Sequence, residues 1–275
     1  MVSLLVHELK SRWKGVVGWG IGLTLFGAMY ISVWPQAEAQ MVSLSDLSLY
    51  QALGFYMGSF EEYLGSVVIL FLPILLGIYA VVTGTKALAG EEDSGTLELV
   101  MARPLARWQI VVTKAVAIGI AMIAILFLGA LGDAAVLAGI KTTYETSLMP
   151  GSIFRAMLTG WPIVMAFAMI SFFLGSFMPS RRLASVVATL ILIASYFGEN
   201  IAGMVESLDV VKPFSLFTYF DSSAAVFTRG PETSDVLVLL GVAAVFFALT
   251  LVSFQQRNVT VGAWVWQRGR VPADG

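Results

Sequence analysis

The chain has 275 residues, of which 58% are hydrophobic and only 12% charged, with a mean hydropathy of +0.85. A soluble domain carries about 25% charged residues, so lipid must be the solvent for much of this surface. A net charge of −2 is too near neutral to argue for a nucleic-acid partner, the lack of cysteine excludes disulfides and thiolate chemistry, and one histidine, His7, excludes His-pair metal sites.

At the N-terminus, Leu5, Leu9 and Trp13 recur every fourth residue, with Ser3, His7, Lys10 and Lys14 on other faces. The spacing predicts an amphipathic helix over residues 1–14, lying in the cytoplasmic interface before the chain turns inward. An ordinary basic flank that only sets topology explains the same residues. Six apolar segments then have the roughly 20 residues that a bilayer crossing needs. They lie near Gly15–Trp34, Leu64–Thr85, Ile110–Ile140, Met157–Met178, Leu183–Met204 and Val236–Phe254. Ala37-Glu38-Ala39 has the form of a signal-peptide cleavage site, but the apolar run before it exceeds the usual 7–15 residues, so the first span is read as retained.

Lysine and arginine decide the orientation. With both termini in the cytoplasm, twelve basic residues fall inside and four outside, at Lys141, Arg155, Lys212 and Arg229. The expected fold is an all-α membrane protein with six transmembrane helices, N-in and C-in. Residues 15–257 form its membrane domain and 258–275 a cytoplasmic tail, in which Trp264 and Trp266 suit the interface.

Between the second and third spans lies a polar segment, residues 90–108. Asp93 or Ser94 can cap a helix there, and Glu91, Glu92 and Asp93 place negative charge at its positive dipole end. Leu97, Val100 and Met101 share one face. Pro104 suits the first turn of a following helix, which runs through Trp108 into the third span without a flexible linker. A short helix held this rigidly transmits force from a partner, and its small apolar face suits a groove. Composition alone favours a plainer reading, a solvated hairpin that obeys the charge bias.

Several polar residues fall within or near the spans, where an ionised group costs at least about 2.5–3.5 kcal/mol. Asp133 follows Lys114 by about 28 Å of helix, which places it at the outer surface as an interfacial acid. Glu199 and Asn200 either line an outer polar gate or begin a segment that folds back from the fifth span. Pro73 and Pro162 favour kinks in spans two and four. Tyr79, Ser171, Ser195 and Tyr196 receive no role.

The string from Gly90 to Arg107, with Lys114 downstream, resembles the cytoplasmic segment of type-2 ABC transporter permeases. That pattern is an acidic pair, Gly-Thr-Leu, an apolar run, a basic-Pro step, an arginine and a later lysine. The basic start, the Trp-Gly-rich first span, Lys212-Pro213-Phe214 and the arginine after the last span are similar as well. The resemblance implies a permease subunit of a bacterial or archaeal cell membrane, working as a dimer with a second copy or a paralogue. A separate ATP-binding subunit would dock on the coupling helix through Glu91, Glu92, Asp93, Gly95, Thr96, Leu97, Glu98, Arg103 and Arg107. It also implies short re-entrant helices at the outer mouth, within residues 204–233. The Phe- and Tyr-rich Asp209–Thr228 agrees, being too apolar for a free loop and too interrupted to span. Glu199, Asn200 and Phe214 are the candidate outer gate.

The sequence has no G-x-x-x-x-G-K-[ST] loop, so ATP and Mg²⁺ are expected on the partner and no cofactor or catalysis on this chain. The expected function is ATP-driven export of a hydrophobic or amphipathic solute. The alternative is an ATP-independent secondary transporter or channel, which would want midplane charges or repeated broken helices. An intramembrane protease lacks its nucleophile–base pair or paired aspartates.

Overall fold

The computed structural model describes residues 1–45, 47, 55–90, 106–204, 210 and 212–256, and among them every regular element is helical. Six helical stretches are long and apolar enough to cross a membrane: Val2–Leu44, Phe60–Gly90, Arg107–Ile140, Pro150–Phe177, Arg181–Ile201 and Thr233–Gln255. The six-span plan holds.

The first helix, α1 (Val2–Ser45), is continuous over 44 residues. The expected helix over residues 1–14 therefore continues into the first span, with no break at Lys14. A lone Gly15 costs a helix only about 1 kcal/mol, too little to end one. The second span is built in pieces. Ser59 caps α2 (Phe60–Leu64) by accepting from the Glu62 amide at 3.2 Å. A π-helical turn (Gly65–Ile69) leads to α3 (Leu72–Thr85), and a second one (Lys86–Gly90) ends the span.

The third span is α4 (Arg107–Ile140), and the fourth comprises α5 (Pro150–Leu158) and α6 (Trp161–Phe177). Pro73 and Pro162 both stand in the first turn of a new helix, α3 and α6. There the missing N–H has no carbonyl to lose, so each proline starts a segment instead of kinking a continuous one. The fifth span is α7 (Arg181–Met204) and the sixth α8 (Thr233–Gln256), with 3₁₀ turns at Leu216–Tyr219 and Ala224–Phe227 between them.

Helix α6 is the hub. It packs against α3, α8, α7 and α4, while α1 lies along α4 and α5 closes against it. At Gly84 a Cβ would sit 2.7 Å from the Ala168 carbonyl oxygen, so glycine is what lets α3 and α6 touch through their backbones. The outer helices α1, α7 and α8 turn large apolar side chains outward, such as Leu25, Leu190 and Val245. This inverts a soluble surface and suits lipid.

Candidate functional site

The base of α4 is where the predicted coupling segment enters the bundle. Glu91, Glu92, Asp93, Gly95, Thr96, Leu97, Glu98 and Arg103 lie outside the described residues, as does Pro104. What the structure describes is the receiving end. Helix α4 starts at Arg107 and not at Pro104, because Ala106 has extended backbone (φ −68°, ψ 144°). The Ala106 amide donates to Gln109 Oε1 at 3.0 Å, a side-chain substitute for the carbonyl that a helix start lacks. From Arg107 the helix runs unbroken to Ile140.

Two basic residues on the first turns of α4 grip neighbours on either side. Arg107 Nη1 donates to the backbone oxygens of Phe254 (3.4 Å) and Gln255 (3.0 Å), in the last turn of α8. A cation there also meets the negative end of that helix dipole. Lys114 Nζ donates to Glu8 Oε1 at 2.7 Å, and the other oxygen, Oε2, takes Arg12 Nη2 at 2.9 Å. Lys114 is only 1% exposed and Glu8 5%. One buried carboxylate thus answers two cations. Breaking such a pair strands a buried charge, which makes it a rigid joint even where it adds little net stability.

The sequence reading placed Lys114 in the coupling pattern but found no partner for it. Glu8 was missed because it lies 106 positions earlier, in a segment read only for its basic and apolar faces. The sole available hint was an acid among the basic residues Lys10, Arg12 and Lys14.

At the other end, each of the three gate candidates has its own surroundings. Glu199 Oε2 accepts the Thr218 hydroxyl, which also reaches the Lys212 carbonyl at 2.6 Å. Asn200 spends its amide on the Tyr196 carbonyl of its own helix (2.8 Å), and Phe214 is 84% exposed. The tighter junction is made by Ser195, to which the sequence gave no role. Ser215 Oγ donates to the Ser195 carbonyl (2.7 Å), and the Leu216 amide donates to Ser195 Oγ (2.8 Å). Phe217 then wedges between Phe167 of α6 and Tyr196 of α7, at ring separations of 6.0 and 5.4 Å. Residues 215–217 are thereby held back against α7.

On the flank of the bundle, α4, α6 and α8 frame an open apolar groove of about 420 Å³. Ile120 and Ile123 form one wall, Trp161 and Met165 another, and Phe247 the third. Trp161 Nε1 donates to the Gly119 carbonyl at 3.2 Å, so the indole's polar edge is satisfied and its face is left to the groove.

A family model described as "ABC-2 family transporter protein" matches residues 2–259, nearly the whole chain. The chain belongs to the ABC-2 transporter family. It is a multi-pass membrane permease of an ABC transporter, a transport component in a family normally without catalysis. No curated protein matches the chain. In this permease, the clamped base of α4 directly follows the segment whose residues carried the family resemblance.

Proposed function

We propose that this permease is driven by a separate ATP-hydrolysing subunit and exports a hydrophobic or amphipathic solute. The basic end, with Lys114, Arg107 and the termini, faces the cytoplasm of a bacterial or archaeal cell, as the lysine and arginine bias requires. The partner grips residues 91–103, and its power stroke enters the bundle at Arg107.

The observation that carries this reading is the double clamp on α4. A push delivered there reaches α1 through Glu8–Lys114 and α8 through Arg107, so three helices receive it together. A loop that served topology alone would need no such joint. The apolar groove and the outward faces of α1, α7 and α8 favour a greasy cargo over a strongly charged one. A second copy or a paralogue completes the pathway.

The test is co-purification followed by reconstitution. An ATPase should co-purify with the intact chain and be lost when residues 91–103 become a Gly/Ser linker. Leu97→Asp and Glu92→Lys should insert normally yet lose ATP-dependent transport. Transport at full rate by either variant would refute the coupling role. One observation favours the rival, ATP-independent reading: Asp133 is a titratable residue buried inside the bundle, where the sequence reading placed an interfacial acid. Transport by this chain alone on an ion gradient would establish that rival.

A further inference from the structure

Asp133 is not the interfacial acid that its helical position suggested. Its carboxyl is 1% exposed, and among the described residues the only polar group beside it is the Ala28 amide of α1, with no well-formed hydrogen bond to either oxygen. It presses on α1 at Gly27, where a Cβ would lie 2.0 Å from Oδ2, so only glycine leaves room for it. On its open side is a cavity of about 10 Å³, room for one water at most.

The walls of that cavity are apolar on every element that reaches it. Ile31 comes from α1, Leu64 from α2, Val68 and Ile69 from the π-helical turn, Ile153 and Met157 from α5, and Phe227 from the second 3₁₀ turn. The titratable groups on those elements are engaged elsewhere. Arg155 donates to the Phe227 and Thr228 carbonyls, Glu61 accepts from Ser147 and Glu62 from the Gly58 amide. Tyr30 and Tyr63 pack edge to face on each other. An apolar cage this small cannot supply the five or six oxygens of a metal cation. An isolated carboxylate held out of water costs so much that it neutralises instead.

We propose that Asp133 is a proton-binding site that opens and closes with the contact between α1 and α4. With the helices together the carboxyl keeps its O–H bond. When they part at the end away from Lys114, water enters, the O–H bond breaks and the proton leaves to that water. The open form alone ionises, so each pH unit of alkalinity favours it by up to about tenfold. This holds whether ATP or an ion gradient drives transport.

The absence of cysteine makes the test direct. Cysteines placed at the exposed Ile21 of α1 and Leu131 of α4 carry a spin-label pair in the full chain, in lipid vesicles. Raising the pH should shift the label distances toward a longer population, and Asp133→Asn should abolish that shift. Independently of any variant, the infrared spectrum of the wild-type chain at neutral pH should show a neutral-acid C=O band, and Asp133→Asn should remove it. A wild-type spectrum without the band overturns the proposal, as do pH-independent label distances or a shift that survives in Asp133→Asn.

Discussion

The two ends of the permease are joined by different physics. At the base, α1 meets α4 through charge, with one buried carboxylate between Lys114 and Arg12. At the far end, α1 meets its neighbours through rings. Trp34 stacks on Phe60 (5.4 Å, 12°), lies 4.8 Å from Tyr63, and donates Nε1 to the Tyr144 hydroxyl at 3.0 Å. Burial raises the pKa of that hydroxyl; the Trp34 bond opposes the shift, while Glu38 and Glu61 add to it, so it stays neutral. The difference separates two mechanical duties. A charged joint is directional and fails abruptly when one partner goes, which suits a place where force enters. Stacked rings slide at modest cost, which suits the opening proposed for that end.

The sharpest way to break this contrast is at Glu8. Glu8→Ala takes one carboxylate away from both Lys114 and Arg12 and should cost about 3–5 kcal/mol, read as a lowered melting temperature in lipid or detergent. Lys114→Met should cost clearly less, because Glu8 keeps Arg12 and the methionine fills the space. Equal melting of the two variants would mean that packing, and not charge, holds the base. Trp34→Ala should cost a comparable amount, about 3–5 kcal/mol, through the cavity it leaves.

Smaller changes sharpen the far end. Ser195→Ala removes the acceptor of the buried Leu216 amide and should cost about 1–3 kcal/mol, with faster proteolysis or hydrogen exchange in residues 212–219 as the specific sign. Tyr144→Phe keeps the ring and deletes one hydroxyl, so about 1 kcal/mol is expected from the same melting measurement. Phe214→Ala should move stability by no more than about 0.5 kcal/mol, given its exposure. Lost transport in that variant without lost stability would assign Phe214 to the outer pathway.

Much of this was legible because bilayer physics is written in long runs. An apolar stretch of about 20 residues spans whatever its neighbours are, so all six spans were readable one at a time. The family pattern was equally local, since Gly90 to Arg107 is one contiguous string. The break points were less so: Pro73 and Pro162 announced irregularity, but kink or fresh start depends on what the neighbouring carbonyls find to bond.

By itself the sequence determined the solvent, the number of crossings and the family, because each is a sum over nearby residues. Only the tertiary structure decided that Glu8 answers Lys114, that Ser195 pins the returning chain, and that Asp133 faces Gly27 in an apolar cage. Those are pairings between positions far apart along the chain. No local period encodes them, because a partner is chosen by which helix faces meet, and that choice belongs to the packing of the whole bundle.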